Sequence, residues 1–314
     1  MMKTVTTLVL IVSISLYSCG VDDFIPSDDD SIPPIEYTLS TLTTLPIGTG
    51  GLDVDSYGNI YAGDFGVGLA NINGSDIYKI NPYTGNSEVF ASLEPSGLTG
   101  NHFDTEGNLY QSNFGSSKVF KIDPHGNPEL FTEAVALPTG ITIDDRGNIY
   151  ILSCQNGTIT KFTPSGGSNV LASSSDFACA NGITWVKDTG NLYVVNFSDG
   201  NVLQITPTGD VSILTAIPNS TGNAHITSFQ GELYLTAASL GQIYKVSLDG
   251  ESVEVIAGDG NAVNTDGNAK TSGLRTPNDL AFSPNGKHIY INCVANSGNS
   301  NELSPTVIRV LKRK

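Results

Sequence analysis

Residues 140–151, GITIDDRGNIYI, set two short apolar-alternating runs on either side of a tight Asp-x-x-Gly-Asn turn. Alternation with a period of two reads as a half-buried strand, and a glycine-centred turn between two such runs reads as a hairpin. The unit recurs. Further copies begin at Gly51 (GLDVDSYGNIYA), Gly100 (GNHFDTEGNLYQ), Gly182 (GITWVKDTGNLYV), His225 (HITSFQGELYL) and Asp279 (DLAFSPNGKHIYI). Each copy carries a turn glycine (Gly58, Gly107, Gly147, Gly190, Gly231, Gly286) and a tyrosine near the start of its second run (Tyr61, Tyr110, Tyr150, Tyr193, Tyr234, Tyr290). Successive turn glycines fall 40 to 55 residues apart. A repeat of that length made of short strands predicts propeller blades, and six copies predict six of them.

A blade needs four strands, here A to D from the axis outward. The second repeat shows all four, at 100–104, 108–112, 118–123 and 128–132, whereas the sixth shows only A at 279–283, B at 288–292 and C near 306–311. The alternating segment 37–42 is therefore expected to supply the missing outer strand by pairing beside 307–311, which closes the ring and covers an edge. The expected fold class is all-β, a six-bladed β-propeller over residues 36–314 closed by an N-terminal strand. The 34 glycines suit many turns on a sheet scaffold, and no stretch of ten or more residues has helical periodicity.

Residues 1–18 read as a signal peptide: Lys3, then a short apolar stretch over 5–16, too short to span a bilayer. Leu16-Tyr17-Ser18-Cys19 resembles a bacterial lipobox, which makes Cys19 the lipidated residue. An ordinary signal peptide cut nearby is the competing reading. Residues 19–35, rich in Asp and Pro, read as an extended tether. Their acidic run resembles the surface-export signal of Bacteroidota lipoproteins, and Asp30-Ser31-Ile32 resembles the short O-glycosylation motif of that group. An outer-membrane lipoprotein of the cell envelope, facing outward and touching the membrane only through its lipid, is the expectation. A monomer is expected.

Asp and Glu outnumber Lys and Arg by 31 to 15, for a formal net charge of −16. A nucleic-acid groove must neutralise phosphates with clustered Lys and Arg, so nucleic acid is excluded as a partner. No serine, cysteine or histidine has the sequence context of a covalent nucleophile, and the glycine turns are too regular for phosphate loops.

In a propeller the strands alternate direction, so the D-to-A connections and B-to-C loops share one face around the central channel. The longest loops, 64–75, 258–278 and 294–305, fall on that face, where function is usually carried. Candidate ligand residues there are Asn181, His225, Asn278 and Asp279 at A-strand starts, His102 beside one, and Asp64, Asn113 and Asn196 at B-strand ends. Their oxygens suit a hard divalent cation such as calcium, which would activate water or polarise a carbonyl. The competing reading is that Asn and Asp sit there because turns favour them. Asp55, Asp104 and Asp144 stand three residues before turn glycines and read as acceptors of turn amides. Asp53-Val54-Asp55 opens like a calcium loop but lacks the later Glu, so it is not read as a metal site. Cys154 and Cys179 lie on the same face in neighbouring blades, and a disulfide between them is expected, with two free thiols as the alternative. Cys293 is expected to be a small apolar filler.

The unit G-I-T-I-D-x-x-G-N-I-Y resembles the NHL repeat. Ala180-Asn181-Gly182-Ile183-Thr184-Trp185 and the run from Thr276 to Gly286 are similar to motifs of the regucalcin/gluconolactonase family. Both groups are six-bladed propellers. In the second, a divalent ion at the channel mouth is held by a first-blade Glu and by later Asn and Asp residues. Asn181 matches the family's Asn-Gly ligand motif, and Asp279 is a further candidate for metal. Gly50-Gly51-Leu52 stands where the family has Glu-Gly-Pro, and Asn223-Ala224-His225 where it has Pro-Asp-Gly. These departures favour a propeller that binds a small molecule, protein or glycan at its long-loop face. A metal-dependent hydrolase of lactones or esters and a protein-interaction scaffold are the alternatives.

Overall fold

The computed structural model describes residues 36–299 and 302–313. The signal peptide, Cys19 and the acidic tether lie outside the described residues. Six antiparallel sheets follow one another along the chain. Strands A to D of blade 1 are Thr49–Val54, Ile60–Asp64, Asp76–Ile80 and Ser87–Ser92. Those of blade 2 are Leu98–Phe103, Leu109–Asn113, Lys118–Ile122 and Pro128–Thr132. Blade 3 comprises Pro138–Ile143, Ile149–Ser153, Thr158–Phe162 and Ser168–Ser173. Blade 4 has Ala180–Trp185, Leu192–Asn196, Asn201–Ile205 and Val211–Ala216. Blade 5 has Ile226–Phe229, Glu232–Ala237, Gln242–Ser247 and Val253–Ala257.

Blade 6 takes its first three strands, Pro277–Phe282, His288–Val294 and Thr306–Arg313, from one end of the propeller chain and its fourth, Tyr37–Leu45, from the other. Tyr37 pairs with Arg313 and Leu45 with Thr306, so the ring closes by strand exchange as the repeat count predicts. The sequence did not reveal a fifth, two-residue strand, Gly267–Asn268, which pairs outside Thr38 and Leu39 and shields that edge. It belongs to the long loop after blade 5. Arg309, fully buried, ties that loop down by donating to the carbonyl of Thr265 at 2.7 Å and to the carboxylate of Asp266 at 2.9 Å.

The apolar residues gather between neighbouring blades, one cluster in each gap. The repeat tyrosine explains its own recurrence there. Tyr61 meets Phe103 of the next blade edge-on at 4.9 Å, and Tyr234 meets Phe282 at 4.8 Å. The hairpin aspartates act as expected. Asp144 Oδ1 accepts from the amides of Arg146 and Asn148 at 2.9 and 2.8 Å, while its Oδ2 accepts from the Asn148 side chain and the Tyr150 hydroxyl. Asp55 and Asp104 repeat the pattern.

Candidate functional site

The site begins with a local irregularity. In five blades the A strand slips by one residue against B, between Thr49 and Leu52, Leu98 and Asn101, Pro138 and Ile141, Ala180 and Gly182, and Pro277 and Leu280. A bulge of this kind bends the strand and re-aims the extra side chain. The residues at the bulge are Gly50, Thr99, Thr139, Asn181 and Asn278, followed by Gly51, Gly100, Gly140, Gly182 and Asp279; in blade 5, which has no bulge, Ala224 and His225 hold the equivalent places just ahead of the A strand.

The glycines let neighbouring A strands touch backbone to backbone on the axis. A Cβ at Gly182 would sit 2.5 Å from His225 Cα, and one at Gly100 would sit 2.8 Å from Gly140 Cα. Only blades 5 and 6 place side chains there. His225 is 6% exposed and Asp279 7%, with Nδ1 of the first 3.4 Å from Oδ2 of the second. Asp279 also bridges blades 6 and 1, because its Oδ2 accepts the Leu52 amide at 2.8 Å and its Oδ1 the Leu280 amide at 2.7 Å. Burial pushes the His225 pKa down to about 4. It pushes Asp279 up to about 8 despite the two amides, with Asp53 nearby adding to the rise. The contact is therefore between two groups held uncharged near neutral pH, and its geometry alone does not make it an ion pair.

This pair divides the channel. On the long-loop face a cavity of about 590 Å³ opens over Thr49, Thr99, Thr139, Asn181, His225 and Asn278. Its walls are apolar: Phe65, Phe114 and Phe197 from the B-to-C loops, with Leu69, Leu240, Ala262 and Leu303. Among the described residues no Asp, Glu, Lys or Arg lines it. A smaller cavity of about 160 Å³ lies on the other side, lined by residues in or next to the A strands that include Asp53, His102, Thr142, His225 and Asp279. Burial also raises the Asp53 pKa, partly offset by His102, whose Nδ1 is 3.4 Å from Asp53 Oδ2.

The sequence-selected residues thus separate into three groups. Asn181, His225 and Asn278 line the mouth cavity. His102 and Asp279 belong to the smaller cavity and not to the long-loop face: His102 lies two residues beyond the axial Gly100, and Asp279 itself takes the axial position in blade 6. Asp64, Asn113 and Asn196 line neither cavity. At the ends of B strands they hold loops in place. Asp64 Oδ1 accepts the Gly48 and Gly66 amides at 2.8 Å each, Asn113 Nδ2 donates to the Glu94 carbonyl at 2.9 Å, and Asn196 Nδ2 donates to the Asp176 carbonyl at 2.7 Å. Ser153, in the same place in blade 3, donates to Ala136 O at 2.6 Å.

The aromatic walls were missed, although a signal exists. Phe65, Phe114 and Phe197 each directly follow one of those tethering residues, so the polar-Phe pair recurs in the sequence. Thr99 and Thr139 were also missed. Their hydroxyls donate to the carbonyls of Pro138 and Ala180, 2.9 and 2.7 Å away in the next blade, and Asn278 Nδ2 likewise donates to Gly50 O at 2.7 Å.

The divalent ion that the resemblance implies does not fit these residues. Asn181 faces one cavity and Asp279 the other, and the Asp279 oxygens already accept backbone amides. Among the described residues no three His, Cys, Asp or Glu side chains converge as metal ligands. Cys154 and Cys179 form a disulfide whose second half lies on the mouth cavity, and Cys293 is a buried free thiol whose pKa burial raises to about 12.

No protein-family model matches the chain, and no curated protein does. Solved structures share its fold. A gluconolactonase from Xanthomonas campestris is similar with a TM-score of 0.66 at 14% identity, over 88% of this chain and 89% of its own. A streptogramin B lyase gives 0.60 at 16% identity, over 89% and 98%. A Bacteroides thetaiotaomicron protein of unknown function gives 0.66 at 12% identity, over 88% and 76%. At these identities the likeness is one of fold, and the fold is the six-bladed β-propeller.

Proposed function

We propose that this protein is a binding propeller whose mouth cavity takes an uncharged, largely apolar small molecule. One observation carries the reading: a cavity of about 590 Å³ walled by three phenylalanines and several leucines, with no charged side chain among its described lining. The volume falls in the range of small-molecule sites, and burying an ionised ligand there without a partner charge would be costly. The gluconolactonase and the streptogramin B lyase offer a precedent for small-molecule work on such a scaffold. Leu16 to Cys19 supports a lipid-anchored location in the cell envelope.

Thermal shift against a matched pair, 1-naphthol and 1-naphthoate, tests the proposal, since a ligand that binds only the folded state raises Tm with concentration. A saturable rise with the neutral compound, lost in Phe114→Ser, is expected. An equal response to the carboxylate would overturn it. So would stoichiometric metal together with lactone turnover abolished by Asn181→Ala, which would establish the hydrolase instead.

A further inference from the structure

Four blades place a polar side chain at the A-strand bulge, and three of the four are committed. Thr99, Thr139 and Asn278 each donate to a carbonyl of the following blade. Among the described residues none hydrogen-bonds the Asn181 side chain, although this residue is 9% exposed and lines the mouth cavity. A carboxamide offers an acceptor and two donor hydrogens in one plane. Its oxygen and nitrogen are not among the buried unpartnered atoms but open into the cavity, so a ligand that covered them without pairing them would lose affinity.

We infer that Asn181 reads an amide edge on the ligand: a lactam, imide or primary carboxamide whose C=O and N–H lie side by side. The argument is one of complementarity. A hydrocarbon or ether would leave the Asn181 donor or acceptor buried and unpaired. A carboxylate or ammonium would meet no counter-charge among the described residues of the cavity lining. An edge with one donor and one acceptor pairs both halves of the side chain at once, and the Phe114 and Phe197 walls take the ligand's apolar body. Beneath lies the His225 imidazole, held uncharged by burial with its Nδ1 3.4 Å from Asp279 Oδ2, so the floor adds no charge. The inference rests on the mouth cavity being the binding site.

Phenylsuccinimide and N-methylphenylsuccinimide, titrated calorimetrically into the full chain, make the test. They differ in the single N–H. The imide should bind roughly tenfold tighter than its N-methyl form, a difference set by one buried donor left without its acceptor. Asn181→Leu, similar in shape, should remove the discrimination by weakening only the imide. Phe114→Ala should weaken both probes alike. Two probes that bind the unsubstituted protein equally would overturn the amide reading while leaving the cavity reading intact, since water would then be satisfying Asn181. Binding of neither probe would overturn both. The comparison on the unsubstituted protein does not depend on any variant folding.

Discussion

The two cavities meet at one histidine and are built in opposite ways. The smaller one is lined by residues in or next to the A strands of all six blades, and it holds Asp53, His102 and Asp279. The larger draws its floor from A-strand bulges and its walls from loops that differ from blade to blade, and it holds no charged residue among those described. The A strands of the six blades therefore close the axis, and loops that differ between blades wall the cavity proposed for binding. In this propeller the titratable chemistry serves the first and apolar shape serves the second.

That contrast breaks first if the ring is opened. Deleting residues 36–44 removes nearly all of the fourth strand of blade 6, with the fully buried Leu39, and uncovers the strand Thr306–Arg313. Both cavities should disappear together, with loss of the cooperative thermal transition. An unchanged Tm would show that closure does not depend on this strand. The next largest effect should separate the two cavities. Asp279→Leu orphans the amides of Leu52 and Leu280 and should cost about 2–4 kcal/mol in denaturant unfolding. Asn181→Leu breaks no hydrogen bond and should stay within about 0.5 kcal/mol of the parent. Similar losses in both would mean that Asn181 is structural after all.

The pair on the axis also gives the folded state a pH dependence. His225, lowered from 6.5 to about 4, contributes stability that is present above pH 6.5 and lost as pH falls toward 4. Asp279, raised from 3.8 to about 8, contributes stability that is present below pH 3.8 and lost as pH rises through 8. Between about pH 4 and 6.5 the two slopes oppose one another. From 6.5 to 8 only that of Asp279 remains, so stability should decline there by about 1–2 kcal/mol. Urea unfolding at the two pH values should show this decline, and Asp279→Asn should flatten it. A decline that survives in that variant would place its source elsewhere.

How far the sequence reads into the structure depends on the length scale. Blade number, hairpin turns and the partner of the strand Tyr37–Leu45 follow from period-two alternation and a repeated turn, both local in sequence. The site is legible only in part, because a one-residue bulge decides which cavity a side chain enters. Asn181 lies at the bulge and faces the mouth, whereas His102, three residues along its own strand from Thr99 at that place, lies beyond the axial glycine. Asp64, Asn113 and Asn196 show the other limit. Their variation between copies looked functional, yet each answers to the loop it must tie down. Leu240 and Leu303 reach the cavity from different loops, a meeting that no spacing encodes.

Phe197 offers the smallest effect on stability and the sharpest separation of shape from scaffold. It is 42% exposed and belongs to none of the interblade clusters, whereas Asn196, its neighbour, is fully buried and tethers the chain at Asp176. Truncating Asn196 to Ala should cost about 1–2 kcal/mol, since the Asp176 carbonyl loses its donor. Truncating Phe197 to Ser should leave Tm within a few degrees of the parent, because a half-exposed ring contributes little to folding. If the mouth cavity binds an apolar body, the same Phe197→Ser change should nonetheless weaken 1-naphthol binding several-fold, since the ring's exposed face is then the surface a ligand covers. Two adjacent residues, one moving stability and the other moving affinity, would show that the loops carry recognition while the strand ends carry the frame. If Phe197→Ser lowered Tm as much as Asn196→Ala and left affinity alone, the wall would be scaffold.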